Sequence, residues 1–185
     1  MKELSLNILD IAENSVKARA TLTEIIIDET GDTLTLTIKD DGCGMDEATV
    51  LAVTDPFYTT RTTRKVGMGI PLLKLACEQT GGSLTISSKV QNDTSEDHGT
   101  TVAAVFDKTH IDFTPLGDVT SSIVTLIQGH PETDFRFLHK IDSDEISLDT
   151  REIRQVLDDV PLNTYEVLTW IRENLEEQYS LLKQN

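Results

Sequence analysis

Three short segments stand in a fixed order along this chain: DIAENS from Asp10 to Ser15, DDGCGM from Asp40 to Met45, and VGMGI from Val66 to Ile70. The first lies on an amphipathic stripe, the second follows an alternating strand, and the third opens a helix. Between the last two runs a loop carrying Arg61, Arg64 and Lys65. A carboxylate and an amide on a helix, an Asp beside two glycines, and a Gly-rich helix start behind a basic loop are together the parts that a nucleotide with a metal needs. Each alone has an ordinary structural reading; the ordered set constrains the fold far more.

The elements follow from periodicity. Leu4, Ile8, Ile11, Ala12, Ser15 and Val16 share one helical stripe, so residues 4–18 read as a helix. Residues 23–28 read as an Ile-rich strand, and 33–39 alternate strictly and pair with it as a hairpin. Asp46 is placed to cap a short helix to about residue 53. Residues 54–66 are a polar, Thr-rich loop. Residues 69–80 form a helix with Pro71 in its first turn, where a missing N–H costs nothing, and Gly81-Gly82 ends it. Strands are expected at 83–90 and 100–106. The sum is an α+β fold, a two-layer sandwich of one mixed sheet with helices on one face. Phe113-Thr-Pro-Leu-Gly117 marks a boundary, which divides the chain into domains at 1–107 and 108–185. The second part reads as helices at 118–129, 149–158 and 164–183 with a hairpin at 134–147, either a small α+β unit or an elaboration of the first domain.

Composition narrows the function classes. The formal net charge is −16, which argues against a nucleic-acid surface and makes the basic loop stand out. No apolar run approaches the roughly 18 residues of a membrane helix, and no charged-then-apolar leader opens the chain, so the expectation is a cytoplasmic protein with no membrane or nucleic-acid partner. The two cysteines, Cys43 and Cys77, have no CxxC partner and read as free thiols of a reducing compartment.

The residues of the three segments have definite chemistry. Asp10 and Asn14 are four apart and share a helix face. Asn14 can place its carbonyl oxygen on a magnesium ion, which takes few protein ligands beside phosphate oxygens, and Asp10 can polarise an attacking water or hydroxyl as a catalytic base. The pair alone reads as a solvated helix face. Asp40 can accept from an adenine amine, with Gly42 and Gly44 letting backbone approach a flat ring; alone it is an Asp-Gly turn. Gly67 and Gly69 sit at a helix start, where N–H groups and the dipole suit phosphates, and the basic loop can add charge to the terminal phosphate. No Walker GxxxxGK[ST] occurs.

With these residues in place, residues 1–107 resemble the GHKL superfamily, the Bergerat-fold ATP-binding domain shared by DNA gyrase B subunits, heat-shock chaperones, MutL proteins, histidine kinases and anti-sigma-factor kinases. DIAENSVKARAT resembles the N box in its MutL version, KDDGCGM the box that holds adenine, GMGIPLLKLACEQTGGSLTISS the histidine-kinase run around the second glycine box, and HGTTVAAVF the closing strand. The resemblance implies ATP and Mg2+ as cofactors, Asn14 as the magnesium ligand and Asp10 as the catalytic residue. It implies a nucleotide-binding set of Asn14, Asp40, Gly42, Gly44, Met45, Thr60, Arg61, Arg64, Lys65, Gly67, Met68, Gly69, Ile70 and Thr101, with residues 57–66 as the lid. Hydrolytic members carry Glu where this chain has Asp10. Glu13 is adjacent and is the alternative carboxylate, though it points away from Asn14 on the helix.

Three functions remain open at this point. One is an ATP-binding signal-transduction kinase that passes the γ-phosphoryl to a separate protein partner. A second is a MutL- or chaperone-like ATPase switch, in which ATP drives formation of a homodimer. A third is a non-catalytic nucleotide sensor with residues 108–185 as a docking module, whose apolar face would draw on Leu162, Tyr165, Leu168, Trp170, Ile171 and Leu175; a plain core helix is the simpler reading of that pattern. His110 precedes Pro115 at the spacing of a kinase phosphoacceptor, but the acidic residue is displaced and the segment follows the ATP-binding boxes.

Overall fold

A computed structural model describes residues 3–54, 68–92 and 97–182. Helix α1, Leu4–Lys17, buries Leu4, Ile8, Ile11, Ala12 and Ser15, the stripe expected of it. Its first turn has no side-chain cap. The N–H groups of Leu4 and Ser5 instead donate to the carbonyl oxygens of Pro115 and Leu116 at 2.9 and 2.8 Å, so a segment far down the chain supplies partners that a helix start otherwise takes from side chains or water.

Strands β1, Leu22–Thr30, and β2, Thr33–Asp40, form a hairpin in register from Thr23↔Asp40 to Thr30↔Thr33, turned by Gly31 at φ 55°. The short α2, Glu47–Ala52, is capped by Asp46, whose carboxylate accepts from the Thr49 N–H. Then come α3, Gly69–Gln79, with β3, Ser83–Lys89, and β4, Gly99–Asp107, antiparallel to each other. The remaining elements are α4, Val119–Gly129; β5, Asp134–Ile141; β6, Asp144–Asp149; α5, Thr150–Leu157; and α6, Tyr165–Leu182.

The six strands of the described residues form one sheet in the order β3-β4-β2-β1-β5-β6, mixed because β1 and β5 run parallel while the other neighbours are antiparallel. The side-chain period of two puts the buried residues of the inner strands on a single face. Ile25 pairs with Ile38 and Phe137, Ile38 with Val102, and Phe137 with Leu148, and all five are buried. The opposite face is half-buried or exposed, so this is the two-layer α+β sandwich that the sequence predicts. Residues 108–182 contribute β5 and β6 to that same sheet, and α4 packs against α1. In α6 the inward residues are Val167, Ile171 and Leu175, with Leu162 buried just ahead of it; Tyr165 and Trp170 face outward.

Two polar devices finish the far end of the sheet. The edge strand β6 would present bare amides, but the Gln178 side chain takes both backbone groups of Ser147, at 3.0 and 3.1 Å. Beneath it, buried His139 lies between Tyr179 (2.8 Å) and Glu29 (3.0 Å), and Glu29 in turn pairs with Lys108. Burial holds the His139 imidazole below its ordinary range against the opposing pull of Glu29, and burial pushes the Tyr179 phenol up. Among the described residues no helix is long and apolar enough to cross a membrane.

Candidate functional site

Asp40 closes β2 where the hairpin meets α1, and it is almost wholly buried. Its Oδ2 accepts from the Ser15 hydroxyl at 2.8 Å, and its Oδ1 from the N–H groups of Gly42 at 2.9 Å and Thr100 at 3.3 Å. An ionised carboxylate offers about four acceptor positions, so one is left for an outside donor. The backbone fixes this carboxylate through the turn: the Cys43 N–H donates to Ala18 O at 2.9 Å. Gly42 admits no side chain, since a Cβ there would stand 2.8 Å from the Ala18 Cβ and 3.0 Å from Asp40 Oδ1. Gly44 has φ 66°, and its Cβ would fall 1.9 Å from Lys89 O. Met45 is held by its N–H to Ser88 Oγ at 2.8 Å.

Asp10 and Asn14 stand on the exposed side of α1. Beside them begins α3: a Cβ on Gly69 would lie 3.1 Å from the Asp10 Cβ. Gly69 and Ile70 are buried, Met68 precedes them without a side-chain cap, and Pro71 has no N–H. The start of α3 therefore lies against Asp10, with nothing larger than a hydrogen on the approaching residue. Asn7, two turns before Asn14 on the same stripe, is buried, and its Nδ2 has no hydrogen-bond partner among the described residues.

Glu13 is committed elsewhere. Its Oε1 lies 2.7 Å from His130 Nε2 at the end of α4, and its Oε2 3.8 Å from Lys17. Thr101 pairs with Lys39 and Ser87 on the outer face of the sheet, whereas Thr100 pairs with Asp40 on the inner face. The strand period of two thus puts Thr100, not Thr101, beside the buried carboxylate. Thr60, Arg61, Arg64, Lys65 and Gly67, with the lid at 57–66, lie outside the described residues. His110 is engaged locally, its Nδ1 accepting from the Asp112 N–H at 3.1 Å. Cys43 and Cys77 are free thiols, and burial raises the Cys77 thiol.

Ser15 is the residue that the sequence pattern hid. It sits among Ile8, Ile11 and Ala12 and passes for a small core residue. Its signal is that it is a hydroxyl on an otherwise apolar stripe, where a polar group needs a partner. After Asp40, Asp41 and Gly42 of the same turn line a cavity of about 420 Å3 with Lys17, Arg19, Cys43 and His98. His98 Nδ1 reaches Gly42 O at 2.8 Å and braces the turn from that side.

Comparison with known proteins gives a consistent result. A family model described as "Histidine kinase-, DNA gyrase B-, and HSP90-like ATPase" matches residues 2–110. A curated "Putative sensor protein" of Shewanella frigidimarina (strain NCIMB 400) is 32% identical over 91 residues, covering 47% of this chain and 14% of that protein. This chain thus matches only a small part of that relative's length. Among solved structures, the N-terminal domain of a DNA repair protein superposes with a TM-score of 0.56 at 18% identity, covering 80% of this chain and 52% of that one. The Aquifex aeolicus MutL ATPase domain complexed with ADP gives 0.54 at 14% identity, covering 85% and 69%. At these identities the two structures speak for the fold.

Proposed function

The chain belongs to the histidine kinase-, DNA gyrase B- and HSP90-like ATPase family, and on that footing we propose that it binds magnesium ATP and passes the γ-phosphoryl to a separate protein. The observation that carries the reading is the face shared by Asp10, Asn14 and the start of α3, where a Cβ on Gly69 would crowd the Asp10 Cβ at 3.1 Å. The donor set fits the ligand. Asp40 keeps one acceptor position for the adenine amine, the amides of Gly69 and Ile70 suit phosphate oxygens, and the exposed Asn14 carbonyl oxygen suits a hard cation that keeps most of its waters. Magnesium, when bound, neutralises phosphate charge.

The chain's own residues do the rest. Asp40 orients the base, because Ser15, Gly42 and Thr100 fix its carboxylate. The α3 amides position the phosphates. Asp10 is the base that takes the proton from the attacking hydroxyl or water; Glu13 is not, since His130 and Lys17 hold it. Phosphoryl transfer asks mainly for positioning and charge neutralisation, which a short Asp can serve.

A second reading, an ATP-driven switch that dimerises, draws support from one feature. The nucleotide-facing helix is joined to the C-terminal elements through Pro115, Leu116 and the Glu13–His130 contact, a route by which occupancy at Asn14 would be felt in α4. The test is release and transfer of labelled γ-phosphate by wild type and Asp10→Asn, with ATP binding measured in parallel. Transfer or release lost in the variant, with binding kept, supports Asp10 as base. Equal rates in both remove it. Steady release of free phosphate by the chain alone, with ATP-dependent dimers, moves the reading to the switch.

A further inference from the structure

Outside the nucleotide site, the molecule has a second concavity of about 420 Å3 between β6, α5 and α6. Its floor is Leu148, Ile153 and Leu157, and its walls carry Val156, 85% exposed, and Trp170, 52% exposed. Large apolar side chains left in water around an apolar cleft are the usual mark of a recognition surface. The rim is acidic. Asp149 and Glu152 line the cleft, and Glu166, Glu173 and Glu177 lie on α6 three to four residues from Trp170 or Asn174. Asp149 pairs with Arg151, and the other four carboxylates form no ion pair among the described residues.

We propose that this cleft is a docking site for a basic amphipathic helix of another protein, whose apolar side chains enter between Val156 and Trp170 while its Lys and Arg residues meet the unpaired rim. Charge selects the class of partner. Nucleic acid and anionic lipid would be repelled by the rim and by a net charge of −16. A second copy of this chain would bring an equally acidic rim against this one, and like charges oppose such contacts. Backbone chemistry selects the shape. An added strand would need the outward amide and carbonyl of Ser147, and Gln178 already holds both; a helix needs neither and offers side-chain anchors in a groove.

The chain supplies its own reporter, because Trp170 is the one tryptophan in the sequence. The probe is a short synthetic helical peptide of leucine and lysine, titrated while Trp170 emission is followed, with calorimetry alongside. The expected result is a saturable blue shift, weakened by added salt, with dissociation constants raised about tenfold or more by Val156→Asp and by Glu152→Lys with Glu173→Lys. These positions are exposed, so thermal unfolding should show the variants folded. The proposal is overturned if calorimetry detects binding while Trp170 emission stays fixed, if Val156→Asp binds as tightly as wild type, if the peptide with glutamate in place of lysine binds equally, or if no binding occurs.

Discussion

Asp40→Asn separates a ligand-binding carboxylate from a structural one. In the native site Oδ1 faces two N–H donors, Gly42 and Thr100, so the asparagine must keep its oxygen there. Its Nδ2 then falls where Oδ2 meets Ser15. A serine hydroxyl both donates and accepts, so Ser15 can turn and take a hydrogen bond from the new amide. The fold loses only the charged quality of three hydrogen bonds, and a stability loss near 1 kcal/mol is expected. The nucleotide fares worse. The acceptor position left for the adenine amine becomes an N–H facing another N–H. A lost hydrogen bond to a charged group costs about 1.5–3 kcal/mol, or about 10- to 150-fold in the dissociation constant. Calorimetric titration of ADP and of magnesium ATP into both proteins, with melting curves in parallel, measures both parts. A variant that melts close to wild type and binds within about twofold of it would refute the assignment of Asp40 to the adenine.

Three further outcomes are expected. Asn14→Ala should leave ATP binding but remove its dependence on magnesium, read from titrations with and without the ion; equal tightening by magnesium in the variant would place the ligand elsewhere. Gly44→Ala should destabilise the fold by about 1–3 kcal/mol or more in chemical denaturation, because φ 66° is unfavourable for alanine and its Cβ would overlap Lys89 O; an unchanged midpoint would mean that the turn relaxes freely. Burial depresses the pKa of His139 in the fold, so the unfolded chain binds its proton first as pH falls below about 6.5. Its contribution is present above that pH and declines below it, with a slope of at most about 1.4 kcal/mol per pH unit; His139→Gln should flatten that part of the stability curve, and an identical slope in both proteins would exclude His139 as its source.

Much of the layer structure is written in local periodicity. The strict alternation of Leu34, Leu36 and Ile38, the stripe of α1 and the Asp46 cap all reappear in the structure because each depends on residues close in sequence. The placement of β5 beside β1 was not readable, since Phe135 and Phe137 carry an ordinary strand pattern and the choice of neighbour is tertiary. Phe113 to Gly117 reads as punctuation from its Pro and Gly, yet the carbonyls of Pro115 and Leu116 complete the start of α1. In the candidate site, Asp10, Asn14, Asp40 and Gly69 announce themselves through spacing. Ser15 does not, because a small residue on an apolar stripe looks like packing, and Thr100 differs from Thr101 only by which way a strand residue points.

The parallel pairing of β1 with β5 sets a timetable for synthesis. The Glu24–Arg136 contact spans 112 positions, and translation adds roughly 5–20 residues per second. The Ile25-Ile26-Ile27 edge therefore emerges from the ribosome on the order of 5–20 seconds before the strand that covers it. During that interval the nascent chain holds an open, apolar template for any passing strand, and α1 waits for the carbonyls of Pro115 and Leu116. The ATP-binding boxes are made early, but their scaffold is completed late, so a stalled or truncated chain would be an aggregation hazard rather than a smaller working protein.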